Sequence, residues 1–126
     1  MKQPVFPPGA APPSAPYTPA IIDGGFVFVS GQGPLDLATG DYKKGDIKSE
    51  TKLVFENIKT ILQAAGTSME NVVKCNVYLR DINDFAAMNE VYKTYFATPF
   101  PARTTIQAGA LPRGFAVEIE CIAKQK

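Results

Sequence analysis

Two stretches, Asp46 to Ala65 and Asp81 to Ala97, space their apolar residues as helices do, and the other apolar runs of the chain alternate as strands do. In the first stretch Val54, Ile58, Ile61, Leu62 and Ala65 form one stripe, with Lys52, Glu56 and Lys59 opposite. Asp46 suits an N-cap and Gly66 a C′ position. In the second, Phe85, Met88, Val91, Tyr92, Tyr95 and Phe96 carry the stripe. Strand signals lie at Ala20-Ile21-Ile22, at Phe26–Ser30 after the Asp23-Gly24-Gly25 turn, and at Val72 to Arg80. Two more follow at Arg103–Ile106 and Val117–Ile122. The order is β-β-α-β-α-β-β. Two amphipathic helices can cover only one face of a sheet of roughly four to six strands. The expected fold is therefore an α+β two-layer sandwich, its helices on one face of a mostly antiparallel sheet.

The uncovered face is the main consequence. Along Val72 to Arg80, alternation sends Val73, Cys75, Val77 and Leu79 one way and Lys74, Asn76, Tyr78 and Arg80 the other. Near the C-terminus Val117, Ile119 and Cys121 share a face, and Glu118 and Glu120 share its opposite. A surface of Lys74, Asn76, Tyr78, Glu118, Glu120 and one side of Phe26–Ser30 is too polar for a dry core. It is also too apolar to stand bare. Packing against further copies in a closed ring, with polar pockets between subunits, resolves the conflict. The break at Leu111-Pro112-Arg113-Gly114 predicts a hairpin between the last two strands. Arg103, one of three arginines, opens the first of them, and its guanidinium fork suits a carboxylate or phosphate. Read alone, this pattern fits a surface arginine with exposed glutamates better than an anion pocket.

Seven of the eleven prolines fall between Pro4 and Pro19, which divides the chain into a Pro-rich segment, 1–16, and a single domain, 17–126. The first segment reads as a tail or as extended backbone. Gly31 and Gly33 after the Phe26–Ser30 strand signal tight geometry, not a phosphate loop, since no Lys-Ser/Thr pair follows. Net charge is +1, with 13 basic and 12 acidic residues and no basic stripe, so nucleic acid is not expected as a partner. No apolar run approaches the roughly 18 residues of a membrane span. Cys75 and Cys121 lie in apolar alternating runs and read as buried free thiols of a cytoplasmic protein. Histidine is absent, which removes histidine-based triads and most zinc sites. The remaining chemistry rests on carboxylates, arginine, tyrosine, hydroxyls, backbone N–H groups and water.

Several motifs together resemble the reactive intermediate deaminase family, RidA/YjgF, also labelled endoribonuclease L-PSP or translation initiation inhibitor. They are Ala15-Pro16-Tyr17, Phe28-Val29-Ser30-Gly31-Gln32, Glu56-Asn57-Ile58, Asp81-Ile82-Asn83-Asp84-Phe85, Met88-Asn89-Glu90-Val91-Tyr92, Pro101-Ala102-Arg103 and Val117-Glu118-Ile119-Glu120. The resemblance runs from about Tyr17 to Lys124. It implies a chorismate-mutase-like fold and a homotrimer with sites in clefts between subunits. It also implies hydrolysis of enamines and imines, such as 2-aminoacrylate, to 2-oxo acids and ammonia, with neither metal nor organic cofactor.

By the same resemblance Arg103 grips the substrate carboxylate and Glu118 holds the attacking water, with Glu120 as second choice. Tyr17 is the site tyrosine, Ser30 and Gly31 close the strand end, and Asn89 is the interface asparagine. Thr105 stands where many members have cysteine, and serves if that position works through its backbone N–H. The link between Phe96 and Pro101 is shorter than usual in the family. Two other functions compete: a non-enzymatic trimer that binds 2-oxo acids or acts as a chaperone-like surface, and an endoribonuclease. The second lacks histidine, a basic groove and an aromatic stacking platform.

Overall fold

The two helical stripes are shaped to close over one face of a sheet, and in a computed structural model describing residues 1–126 they do so. The strands are β1 (Gln3–Val5), β2 (Ala20–Asp23), β3 (Phe26–Gln32), β4 (Val72–Leu79), β5 (Ala102–Gln107) and β6 (Val117–Lys124). The helices are α1 (Ile47–Ala64) and α2 (Phe85–Tyr95). The sheet order is β1-β2-β3-β6-β4-β5. Every neighbouring pair is antiparallel except β4 with β5. This is the expected α+β sandwich.

Asp46 caps α1, accepting from the Ser49 backbone N–H at 2.8 Å, and Gly66 leaves the helix at φ +79°. Val54, Ile58, Ile61 and Leu62 are buried as the stripe requires. Phe55 joins them and meets Tyr92 and Tyr95 of α2 and Phe96 just after it at ring-centroid distances of 5.5, 4.9 and 5.6 Å. The helices thus pack on each other as well as on Val27, Val29, Cys75, Val77, Leu79, Val117, Ile119 and Cys121 of the sheet. Both cysteines are buried and free, and they are direct partners across the β4–β6 ladder.

Three expectations change. The last two strands do not form a hairpin. β4, α2 and β5 make a β-α-β crossover, which delivers β5 parallel to β4, and β6 then inserts between β3 and β4. The stretch 108–116 is the longer connection that this jump needs. Val73 does not share the buried face of Cys75. The β4–β6 register shifts between Val72 and Lys74, turning Val72 inward and leaving Val73 42% exposed. The Pro-rich segment also supplies a strand, since Gln3–Val5 pairs with β2 at the sheet edge, where proline is tolerated.

Glu50, on the first turn of α1, is buried and makes no salt bridge. Its carboxylate accepts from the Ala116 N–H at 2.8 Å and from the Gly45 N–H at 3.1 Å, tying the helix start to the entry of β6. Glu50→Ala orphans the buried Ala116 N–H and should lower stability by about 2–3 kcal/mol. Urea denaturation with an unchanged m-value would register this.

Candidate functional site

Direct partners on a ladder point to the same face, so the register sorts the candidate residues at once. Arg103 pairs with Cys75, which faces the helices; Glu118 and Glu120 pair with Tyr78 and Asn76, which face away. Within one chain the structure therefore makes two clusters on opposite faces of the sheet.

The helix-side cluster is built around Arg103 on the outer strand β5. Its Nη1 donates to Asn89 Oδ1 of α2 at 2.7 Å. Its guanidinium lies 4.6 Å from the Tyr92 ring centroid and 5.5 Å from that of Phe85. The aromatic contacts explain why Phe85, expected in the helix core, is 40% exposed: it walls the arginine instead. The one ion pair in the chain is Lys93 with Glu90, so no carboxylate of the chain holds Arg103. A guanidinium carries five donors. One is used here, by Asn89. The group is thus oriented with an edge free for a bidentate anion. Thr105, two residues on and on the same face, has a buried Oγ1 with no hydrogen-bond partner, as does the Tyr92 hydroxyl. Both stand beside Arg103 or its shelf, a concentration of unmet polar groups unusual for a core.

The open-face cluster is made by an irregularity in β3. Register with β6 slips between Val29 and Gln32, so Ser30 and Gly31 form a bulge opposite the Glu118–Glu120 segment. The Ser30 hydroxyl donates to the Thr18 carbonyl at 2.5 Å and its N–H to the Pro19 carbonyl at 2.9 Å, anchoring the backbone that presents Tyr17. A cleft of about 360 Å³ opens there, lined by Tyr17, Ser30, Gly31, Tyr42, Phe115 and Glu118 among others. Its wall is braced: Arg113 lies 4.5 Å over the Tyr42 ring, and Tyr42 meets Phe115 at 4.8 Å. Lys44 Nζ and Arg80 Nη1 donate to the Arg113 and Gly114 carbonyls at 3.0 and 2.8 Å.

The two glutamates differ. Glu120 accepts from the Tyr78 hydroxyl and, at 3.3 Å, from Asn76 Nδ2, and it does not line the cleft. The bond to Glu120 pushes the Tyr78 hydroxyl up to about 12. Glu118 faces the cleft, and burial first, then the charge of Glu120, raises its carboxyl above the usual range. Burial, then Tyr42 and Glu118, likewise raises the Tyr17 phenol. The cleft thus holds a carboxyl of raised pKa, a feature shared with groups that do general acid–base work.

Gly31 makes room for that carboxyl. A Cβ built there would collide with Glu118 Oε2 and lie 3.1 Å from its Cδ. Gly31→Ala therefore swings the flexible Glu118 side chain aside with the backbone unchanged. We expect any activity that depends on Glu118 to fall by about 10- to 100-fold with little change in melting temperature, measured on matched samples. Sequence reasoning found the glycine but not the bulge, nor Tyr92, Tyr42 and Phe115 as supporting walls. The only signal for the bulge was the Gly31-x-Gly33 spacing.

The chain matches the family model described as endoribonuclease L-PSP over residues 8–125. A RutC family protein of Pyrococcus horikoshii is 50% identical over 123 residues, covering 98% of each chain. The 2-iminobutanoate/2-iminopropanoate deaminase of Capra hircus is 48% identical over 110 residues, covering 87% of this chain and 80% of that one. The crystal structure of E. coli TdcF with bound serine superposes with a TM-score of 0.89 at 34% identity, covering 98% of this chain and 99% of that one.

Proposed function

The chain belongs to the RidA/YjgF family, the endoribonuclease L-PSP family of the matching model, and on that premise we propose that it is an imine deaminase. Its substrates are 2-imino acids and the enamines that tautomerise to them, and its products are 2-oxo acids and ammonia. The observation that carries the proposal is an oriented arginine without a carboxylate partner, together with a half-buried carboxyl of raised pKa at a cleft. The deaminase name of the Capra hircus relative and the serine in the TdcF structure support a ligand with an amino-acid carboxylate.

Arg103 and Glu118 lie on opposite faces of one sheet, so the working site draws them from two copies. The assembly is a homotrimer closed through the open sheet face, where Phe26 and Phe28 are exposed side by side beside Glu120, Tyr78 and Asn76. Arg103 of one copy takes the carboxylate in two bonds. Tyr17, Ser30, Gly31 and Glu118 of the next surround the imine carbon. Glu118 accepts a proton from water as the oxygen adds to that carbon. That proton passes to the imine nitrogen to complete the carbinolamine, whose hydroxyl proton Glu118 then carries to the amine as the C–N bond breaks, releasing ammonia and the 2-oxo acid. Asn89 keeps the arginine aimed, and Thr105 contributes backbone rather than nucleophile, since water addition to an imine needs no covalent intermediate. Burial of both free thiols suits a cytoplasmic protein in a reducing compartment.

The family description also names RNA cleavage. A net charge of +1 and the absence of histidine give that chemistry no support here. The test is release of ammonia or 2-oxo acid from imines made in situ by an amino-acid oxidase, with a trapping nucleophile in competition. Acceleration over the enzyme-free control supports the deaminase. A rate equal to the control, with 2-oxo acids still bound, supports the non-enzymatic metabolite-binding module instead.

A further inference from the structure

A second hollow, of about 470 Å³, adjoins the cleft. Ser14, Tyr17, Gln32, Leu35 and Tyr42 line both, so the two hollows share a wall that includes Tyr17. Glu118, Ser30 and Gly31 line the first alone. The second has no charged residue on its walls, and its volume falls within the ~300–1,000 Å³ of small-ligand sites. Its roof is the Pro-rich segment, with Phe6, Pro7 and Pro12, and Leu37 closes it from the facing loop. That roof is fixed at two points. Val5 pairs with Ala20 at the sheet edge, and the Ala11 N–H donates to the Leu37 carbonyl at 2.7 Å. Gly40 turns the facing loop at φ +82°, a conformation that favours glycine, and a Cβ there would only reach ordinary contact with Ala11. The cleft on one side of the shared wall bears the Glu118 carboxyl, and the hollow on the other side is uncharged.

We propose that this apolar chamber receives the substrate's side chain, making the protein selective for imines of branched-aliphatic and aromatic amino acids over the methyl-bearing imine of alanine. The inference rests on the deaminase function proposed above. With the carboxylate and imine carbon held beside Glu118, displacement of the Tyr17 side chain would give the rest of the ligand access to the uncharged hollow behind it. Proline supplies such walls without unpaired backbone N–H groups, because it has none. Each carbon that enters should raise kcat/KM about fourfold, so an isobutyl side chain, three carbons larger, should exceed a methyl by about 60-fold.

The experiment compares imines generated from alanine, leucine and phenylalanine, using wild type, Leu37→Trp and Ala10→Phe. Both substitutions add bulk to the chamber and neither residue lines the Glu118 cleft. Binding of pyruvate and of 4-methyl-2-oxopentanoate is measured alongside by calorimetry. The expected result is a wild-type preference for the leucine and phenylalanine imines that either folded variant cuts to within about threefold of alanine, whose own rate is unchanged. Equal rates for all imines in wild type, or variants that slow all three alike, would overturn the chamber while leaving the deaminase standing. Should no imine be accelerated, the deaminase fails and calorimetry decides alone. Tighter 4-methyl-2-oxopentanoate binding, lost in the variants, supports the chamber; equal binding of the two acids overturns it.

Discussion

Arg103→Ala is expected to lower kcat/KM for carboxylate-bearing imines by about 100- to 1,000-fold, because it removes the proposed two-bond, charge-assisted grip. The fold should survive. Arg103 sits on the outer strand, and within the chain it makes one hydrogen bond, to Asn89, and two aromatic contacts. Arg103→Lys retains charge but not the planar fork, and it should recover less than about tenfold of the loss. The imine of an amino-acid amide, which lacks the carboxylate, should be hydrolysed equally by wild type and Arg103→Ala. A parallel loss on that substrate would mean that the arginine acts on the chemistry or on the structure, not as a carboxylate clamp.

Glu118→Gln should lower kcat by about 100- to 10,000-fold with little effect on KM, as removal of a general base does. The pH profile gives the independent readout. Burial and the neighbouring Glu120 hold the Glu118 carboxyl above the usual range. The base is the ionised form, so activity appears as pH rises through that raised value. The rising limb of wild type therefore lies above the pH at which ordinary carboxyls ionise. Glu120→Gln removes the smaller cause, so the limb should move to lower pH. It should stay above the ordinary range, because burial, the larger cause, remains. A limb that Glu120→Gln leaves in place would argue that another group sets it.

Most of the architecture was legible because it depends on periodicity. The stripes of α1 and α2, the Asp46 cap, the Gly66 exit and the alternation of β3, β4 and β6 all follow from local spacing. The last strand pairing was not legible locally. Leu111 to Gly114 looks like a hairpin turn, yet the β4-α2-β5 crossover decides where β5 lies, and that is a property of the whole chain. Val73 and the Ser30–Gly31 bulge were hidden for a related reason. One extra residue in a ladder reverses the facing of its neighbours without leaving a mark in hydropathy.

The candidate site divides the same way. Glu118 and Glu120 look equivalent in sequence, and they part only because Tyr78 and Asn76 bond one while Gly31 leaves space for the other. The shelf of Tyr92 and Phe85 under Arg103 reads as core periodicity and becomes something else only when β5 arrives beside α2. The two-faced placement of Arg103 and Glu118, the strongest reason for a site shared between copies, required the register of both ladders.

Subunit complementation tests that shared site most directly. Arg103→Ala and Glu118→Gln chains, each inactive alone, would be unfolded together at equal concentration, refolded, and assayed on one imine. If Arg103 and Glu118 come from neighbouring copies, random assembly makes roughly a quarter of the sites native, and about that share of wild-type activity returns. Activity no greater than the sum of the two variants refolded separately would contradict a site built across two copies.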